Sequence, residues 1–163
     1  MIEDVRKKNL NMEIERKFLL KNDEWQQNVK KRISIKQGYI STNPDSIVRI
    51  RITDSKSFIT LKGKGNNSIA HPEYEYEIPL NDAKEMFELF CNKTGIEKTR
   101  NIVEYKGHTW EIDVFEGRHK GLVLAEVELK SVDEFVEIPD WVGEEVSGNP
   151  QYYNSYLASK SIK

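Results

Sequence analysis

The chain has 163 residues, a length that fits one domain, because domains usually contain roughly 100–200 residues. Its 25 Lys and Arg residues nearly balance its 27 Asp and Glu residues, so the net charge is only -2. A dedicated binder of duplex DNA or RNA would carry a large excess of basic residues, and the composition excludes that class. A local basic site for a small polyanion is still compatible with this balance. No apolar run approaches the roughly 20 residues that span a bilayer.

The single cysteine, Cys91, excludes an internal disulfide, and the first residues lack the apolar segment of a secretory signal. We therefore expect a cytoplasmic protein with no membrane partner and no nucleic-acid partner. Residues 1–11 are polar and aperiodic, which predicts a disordered N-terminal extension ahead of a domain over residues 12–163. The sequence leaves the oligomeric state open, with a homodimer as one candidate.

Eight segments in which apolar and polar residues alternate predict β-strands, because successive side chains of a strand point to opposite faces. These segments cover residues 12–20, 34–42, 47–53, 57–64, 73–80, 98–106, 109–116 and 122–130. Turn-forming residues between neighbouring segments predict antiparallel pairing. Capping residues predict three helices, which begin at Asn22 or Asp23, at Asn81, and at Asn149 with Pro150.

The polar faces of these strands are almost entirely ionic, and the two signs of charge fall largely on different strands. Such faces could be solvent surfaces, where each cross-strand ion pair contributes roughly 0.2–1 kcal/mol. They could also line a closed barrel, since about eight strands enclose one small ligand. The separation of the signs favours a lumen in which carboxylates hold divalent cations and Arg and Lys hold phosphate oxygens.

The predicted fold is therefore α+β, an antiparallel eight-stranded β-barrel that forms a tunnel with a charged lumen and has its helices packed on the outside. The third helix could close one end of the tunnel or pack outside it. Its aromatic stripe, Tyr152, Tyr153 and Tyr156, favours packing outside, because such stripes usually belong to a core.

The first strand contains the pattern Glu-x-Glu-x-Lys at Glu13, Glu15 and Lys17. Together with residues 37–40, 48–51, 60–65, 73–79, 98–100, 110–115, 125–129 and 141–146, in this order and spacing, it resembles the CYTH domain, or triphosphate tunnel metalloenzyme, family. The resemblance covers nearly everything after Met12. It implies an antiparallel tunnel that binds triphosphates with a divalent metal.

The resemblance also implies roles for individual residues. The implied metal ligands or their near neighbours are Glu13, Glu15, Asp113, Glu126 and Glu128, with Mg²⁺ or Mn²⁺ as the metal. The implied triphosphate ligands are Lys17, Arg49, Arg51, Lys62 and Arg100, and alternation alone adds Lys64 as a lumen candidate. The catalytic candidates are Glu13, Glu15 and Asp113, which would act by holding the metal.

Tyr39 is a candidate proton acceptor, because neighbouring cations would lower the pKa of its phenol from about 10. Packing in the core or at the rim is an equally weighted interpretation of this residue. A water activated by the metal, with no protein base, is the simpler alternative.

Within the family, the sequence is most similar to small bacterial members that hydrolyse inorganic tripolyphosphate. The alternatives are a thiamine triphosphatase, a nucleoside triphosphatase or a class IV adenylate cyclase, and a polyphosphate-binding module without catalysis. His71 stands where the family pattern leads us to expect Arg. Residues 117–121, which include Arg118 and His119, could supply the missing positive charge near the tunnel mouth.

Overall fold

The alternating segments form a continuous sheet in the structure, a computed structural model that describes residues 11–160. The strands are β1 (Met12–Leu20), β2 (Val29–Ser41), β3 (Ser46–Ile52), β4 (Ser57–Gly63), β5 (Ala70–Ile78), β6 (Ile96–Tyr105), β7 (His108–Phe115), β8 (Val123–Glu128) and β9 (Val142–Glu145). The α-helices are α1 (Leu80–Phe90) and α2 (Asn154–Ser159), and short 3-10 helices cover Glu24–Asn28, Gly117–His119 and Pro150–Tyr152. Neither α-helix of this described part is long and apolar enough to cross a membrane.

The strands close into a ring. Their order is β5-β4-β3-β2-β6-β7-β8-β1, and β1 pairs back onto β5 through Met12 to Ile14. Each pairing around the ring is antiparallel, which confirms the predicted eight-stranded barrel. The ninth strand, β9, pairs with β1 outside this order and was not predicted, because four residues are too few to show alternation.

The predicted extension over residues 1–11 lies outside the described residues, except for Asn11. The carbonyl of Asn11 accepts a hydrogen bond of 2.7 Å from the amide of Glu73. Asn11 therefore joins the contact between β1 and β5.

The register of the strands places the ionic positions on the inner face of the ring. Residues that lie directly opposite each other in an antiparallel pair point to the same side. Lys17 is opposite Glu126, and Arg100 is opposite Asp113. Arg16, which the alternation places on the other face, forms an ion pair of 2.7 Å with Glu145 of β9 on the outside.

The apolar faces of the strands point outward and are covered by the rest of the chain. On one side Trp110 packs against Phe18 and Trp141, with ring centroids 5.6 Å apart in both pairs. On the other side α1 lays Ala83 and Phe87 over the outer face of β2, β3 and β4. This arrangement leaves the interior of the ring to polar groups.

The C-terminal helix departs from its prediction, because α2 lies across one end of the ring instead of outside it. Its buried side chains, Leu157 and Ala158, pack with Tyr39, Phe115 and Leu124, which belong to the inner face. The aromatic stripe does not decide the packing, since Tyr156 is exposed. The tunnel is therefore closed at this end.

We expect Gly38→Ala to destabilise the fold by about 1–3 kcal/mol, because the side chains of α1 leave no room for a methyl group. The added Cβ would lie 2.5 Å from Cβ of Cys91 and 2.9 Å from Cε2 of Phe87. Urea unfolding measures the change. The control is Gly63→Ala, whose Cβ would make an ordinary contact of 3.6 Å with Pro72. Equal stabilities for the two variants would contradict the close packing of α1.

Candidate functional site

The ring encloses a cavity of about 580 Å³. Its charged lining consists of Lys17, Arg49, Arg51, Lys62, Lys64, Lys98 and Arg100 together with Glu13, Glu15, Glu73, Glu75, Glu111 and Glu126. Tyr39 also lines the cavity. The structure therefore brings together all predicted site residues except Asp113 and Glu128.

Four carboxylates from three neighbouring strands form what we call the acidic cluster: Glu13, Glu15, Glu73 and Glu126. Glu15 lies close enough to Glu126, and Glu13 close enough to Glu73, for the members of each pair to influence each other's pKa. Burial and the negative charges of Glu126 and Glu13 raise the pKa of Glu15 well above its usual value. Burial and Glu13 raise the pKa of Glu73 to about 7. Like charges in contact need either a shared proton or a cation.

The chemistry of the acidic cluster fits a divalent metal ion. Carboxylate oxygens are the ligands that hard divalent cations prefer, and one buried oxygen of Glu73, Oε2, has no hydrogen-bond partner within the described residues. Over residues 11–160, however, no three acidic or histidine side chains are already arranged as a metal site. Glu13 is instead bound to Nζ of Lys62 at 2.6 Å. A metal ion bound by Glu13 would therefore compete with Lys62 for the same carboxylate.

Arg51 is a half-buried cation without a carboxylate partner among residues 11–160. Its Nε donates a hydrogen bond of 3.0 Å to Oε1 of Gln37, and no carboxylate of residues 11–160 lies within 4.0 Å of it. Burial, with the positive charges of Arg49 and Arg100, lowers the pKa of Arg51 to about 10. The guanidinium is still charged at neutral pH, so this part of the cavity favours an anion.

Arg49 lies beside Arg51 on the inner face of β3 and is held by uncharged and acidic groups of β4 and β5. Its Nη2 donates to Oγ1 of Thr60 at 3.1 Å and to Oε2 of Glu75 at 3.3 Å. The hydroxyl of Thr60 donates to the same oxygen of Glu75 at 2.9 Å. Arg49 and Arg51 of β3 and Lys98 and Arg100 of β6 form what we call the basic wall of the cavity. The basic wall and the acidic cluster line the same lumen.

Asp113 has a different environment from the one predicted. Its Oδ1 accepts from Nε of Arg100 at 2.8 Å, and its Oδ2 accepts from Nη2 of Arg100 at 2.9 Å and lies 2.7 Å from Nζ of Lys98. The residue is 0% exposed and does not line the cavity. Both oxygens of Asp113 hold cations in this structure, and its role as a metal ligand or a near neighbour of one stays a prediction. Asp113 orients Lys98 and Arg100.

Glu128 lies at the exposed edge of the acidic cluster and does not line the cavity. It is the last residue of β8, opposite Glu15 in the register, and its side chain is exposed. Burial and the negative charge of Glu13 raise its pKa, which places Glu128 within electrostatic reach of the cluster. Lys64 follows β4 and is exposed at the edge of the cavity.

Tyr39 and Gln37 form a buried pair on the inner face of β2. Nε2 of Gln37 donates a hydrogen bond of 3.0 Å to the Tyr39 hydroxyl, and only 3% of Tyr39 is exposed. Tyr39 both packs in the core beside α2 and lines the cavity, so both interpretations of this residue fit its position.

Sequence reasoning missed four members of the site: Glu73, Lys98, Gln37 and Asn154. Lys98 alternates with Arg100, which was selected, and Glu73 alternates with Glu75 along β5, so the alternation could have found both. Gln37 also alternates with Tyr39, but a neutral amide gives no ionic signal. Asn154 belongs to α2 and accepts a hydrogen bond of 2.8 Å from Nζ of Lys98, which no strand pattern predicts.

The segment that was expected to compensate for His71 has another role. His71 is opposite Glu13 in the register and lines the cavity. Arg118 and His119 instead contact backbone carbonyls at the end of α2. The prediction that residues 117–121 supply charge beside His71 is therefore wrong.

The family can now be assigned from comparison with known proteins. The model of the CYTH domain family matches residues 11–158, which include all nine strands of the described part, so the chain belongs to this family. The resemblance noted in the sequence is confirmed.

Individual relatives cover nearly the whole chain. It is 42% identical over 151 residues to an inorganic triphosphatase of Acetivibrio thermocellus, an alignment that spans 93% of this chain and 96% of that protein. It is 36% identical over 154 residues to an inorganic triphosphatase of Nitrosomonas europaea, with 90% and 96% covered. The crystal structure of an inorganic triphosphatase matches with a TM-score of 0.66 and 32% identity, over 93% of this chain and 97% of that one.

We expect Mg²⁺ or Mn²⁺ to raise the unfolding temperature relative to a chelator, and to do so more at about pH 8 than at about pH 5.5. The pKa of Glu73 is raised from 4.5 to about 7 by folding. The folded protein therefore gains stability from this proton below about pH 4.5 and loses it as the pH rises through about 7. A metal ion would replace the missing proton.

Thermal unfolding with and without metal at both pH values measures this effect, and Glu15→Gln is the comparison, with a smaller expected shift. A shift that is the same at both pH values, or absent at both, would contradict a metal site in the acidic cluster.

Proposed function

We propose that this protein hydrolyses a phosphoanhydride bond of inorganic tripolyphosphate in a reaction that depends on a divalent metal. The central observation is that one cavity contains both the acidic cluster and Arg51, a half-buried guanidinium without a carboxylate partner among residues 11–160. The proteins that the chain matches over nearly its whole length bear the name inorganic triphosphatase. The proposed partner is accordingly a small polyphosphate.

The basic wall would bind the phosphate chain. Hydrolysis requires neutralisation of the charge on the phosphoryl oxygens and a water molecule in line with the bond that breaks. Arg51 can offer both of its Nη groups to phosphate, because within residues 11–160 its hydrogen bond to Gln37 uses Nε alone. Arg100 is fixed in a fork geometry by Asp113. Lys17, Lys62, Lys64 and Arg49 add positive charge along the cavity.

The acidic cluster would hold the metal, with Glu13, Glu15 and Glu126 as the proposed ligands and Glu73 as an additional oxygen donor. Mg²⁺ or Mn²⁺ is the proposed ion, since both accept oxygen ligands. When bound, such an ion withdraws charge from phosphoryl oxygens and activates water. Glu128 remains a proposed outer neighbour of this site.

In the proposed reaction, water adds to a terminal phosphorus and the bridging P–O bond breaks, which yields orthophosphate and pyrophosphate. The water loses a proton, and Tyr39 is one proposed acceptor. The hydroxyl oxygen of Tyr39 receives a hydrogen bond from Gln37, and Arg49 interacts electrostatically with it. Acceptance of the proton by Tyr39 requires the phenolate form of its side chain. Transfer of the proton to solvent water is the alternative. The cytoplasm is the proposed compartment, because a chain with one cysteine forms no internal disulfide and does not need an oxidising environment.

The first test is phosphate release from tripolyphosphate, ATP, thiamine triphosphate and pyrophosphate, each with Mg²⁺, with Mn²⁺ and with a chelator. We expect turnover of tripolyphosphate that requires metal and exceeds turnover of the other three substrates. Faster turnover of ATP or thiamine triphosphate would replace the proposed substrate. Binding of tripolyphosphate without turnover of any substrate would identify a binding module.

We expect Arg51→Ala to lower kcat/KM for tripolyphosphate by roughly 100-fold or more, because it removes a charged donor from a buried site. We expect Glu15→Gln to lower metal affinity or activity by roughly 10- to 100-fold. Steady-state kinetics across a metal titration measures both changes.

The matched controls lie on the outside of the ring. Arg32→Ala removes an exposed arginine of β2, and Glu137→Gln removes a half-exposed carboxylate that pairs with Lys106. Both controls should keep kcat/KM within about twofold, since neither touches the cavity. Activity of Arg51→Ala or Glu15→Gln within a few-fold of the unmodified protein would refute the assignment of the lumen as the active site.

A further inference from the structure

The helix that closes the ring cannot be stable by itself. Helix α2 has six residues, and isolated helices shorter than about 12 residues are marginal in water. The last carbonyl groups of any helix also lack partners within the helix. Contacts from elsewhere in the chain must therefore hold α2 in place.

Two side chains of the turn after β7 provide such contacts. Nη2 of Arg118 donates to the carbonyl of Ala158 and, at 3.2 Å, to the carbonyl of Gly95 at the start of β6. Nε2 of His119 lies 2.7 Å from the carbonyl of Leu157. Because a carbonyl oxygen only accepts, Nε2 of His119 carries the proton. A cation at the C-terminal end of a helix also interacts favourably with the helix dipole.

The opposite end of the same segment touches two lysines of the cavity. The carbonyl of Tyr152 accepts a hydrogen bond of 3.1 Å from Nζ of Lys17, and Oδ1 of Asn154 accepts one of 2.8 Å from Nζ of Lys98. Nζ of Lys17 lies 3.7 Å from Oε1 of Glu126, which is longer than a hydrogen bond. The Tyr152 carbonyl thus helps to keep the Lys17 ammonium from closing directly onto the acidic cluster.

We propose that Arg118 is a positioning residue for substrate binding, which fixes the ammonium groups of Lys17 and Lys98 by holding residues 150–160 across the end of the ring. The inference rests on the proposed function, since it assigns the two lysines to the binding of tripolyphosphate. Arg118 itself does not line the cavity. Its effect on the site passes through α2.

The consequence of losing Arg118 follows from the charges that face Lys17. Without the Tyr152 carbonyl, the Lys17 ammonium would move toward Glu126, the nearest carboxylate. This direct pair would withdraw the Lys17 ammonium from the phosphate chain. Binding of tripolyphosphate should therefore weaken, while the groups that act on the breaking bond keep their positions.

The test compares Arg118→Ala with the unmodified full chain in steady-state hydrolysis of tripolyphosphate. We expect KM to rise about 3- to 10-fold with kcat within about twofold, the pattern of lost uniform binding. Arg118→Lys keeps the charge and should recover part of the affinity. Lys120→Ala is the matched control and should leave KM unchanged, because it removes a charge from the same turn. Lys120 bonds through its backbone amide, and its side chain makes no hydrogen bond or ion pair within residues 11–160.

Thermal unfolding separates this role from a purely structural one. A purely structural residue would lower the unfolding temperature and the active fraction without changing KM for the molecules that remain folded. A folded Arg118→Ala with unchanged KM would overturn the inference. If Arg118→Ala does not fold, His119→Ala removes the neighbouring contact with Leu157 and is judged by the same criterion.

Failure of the proposed function has a different signature. In that case the unmodified protein does not hydrolyse tripolyphosphate, whatever the state of Arg118. Calorimetric titration with tripolyphosphate then still tests the inference, since weaker binding by Arg118→Ala supports it and equal binding refutes it.

Discussion

The burial of charge inside a closed ring is the constraint on which the rest of the structure depends. A charged group removed from water is costly unless a partner of opposite sign and good geometry accompanies it. The group of Lys98, Arg100 and Asp113 satisfies this requirement within the protein, through two bonds from the guanidinium and one from the ammonium. Arg51 and Glu15 do not, because each has neighbours of its own sign. The protein itself therefore neutralises some of its internal charges. The others, such as Arg51 and Glu15, need a bound ligand of opposite sign.

The two kinds of charged group have different roles in this description. Fully paired groups, of which Asp113 is the best example, act as rigid supports that orient the arginine and lysine beside them. Groups with incomplete pairing lie where an anion or a cation would be bound. The ion pair of Lys62 with Glu13 belongs to neither class, since at 2.6 Å it is strong but it occupies a carboxylate of the acidic cluster. When ligands bind, Lys62 would contact phosphate and Glu13 would contact the metal ion. Loss of the Lys62–Glu13 pair would thus couple phosphate binding to metal binding.

Much of the fold and most of the site residues could be predicted from the sequence, because an alternating strand reports directly which face each side chain occupies. Alternation placed Glu13, Lys17, Arg49 and Lys62 on the ionic faces of their strands, and the family resemblance implied their roles. The pairing of Asp113 with Arg100 was not predicted, since it depends on the register of β6 against β7, which places Arg100 directly opposite. The position of α2 was missed because six residues contain too little pattern to distinguish an inner from an outer face. Asn154 and Gln37 are neutral and became visible only through their contacts.

The connectivity of β1 has a consequence for how the protein folds. Strands β2 to β5 follow one another through short hairpins. Strand β1 instead pairs with β5 and with β8, and β8 lies more than 100 positions further along the chain. Contacts between residues distant in sequence form late, because the entropy of loop closure opposes them. During synthesis, β1 therefore cannot pair with β8 until β8 has left the ribosome. Until β8 and α2 have emerged, the lumen is an open sheet whose charges are still solvated.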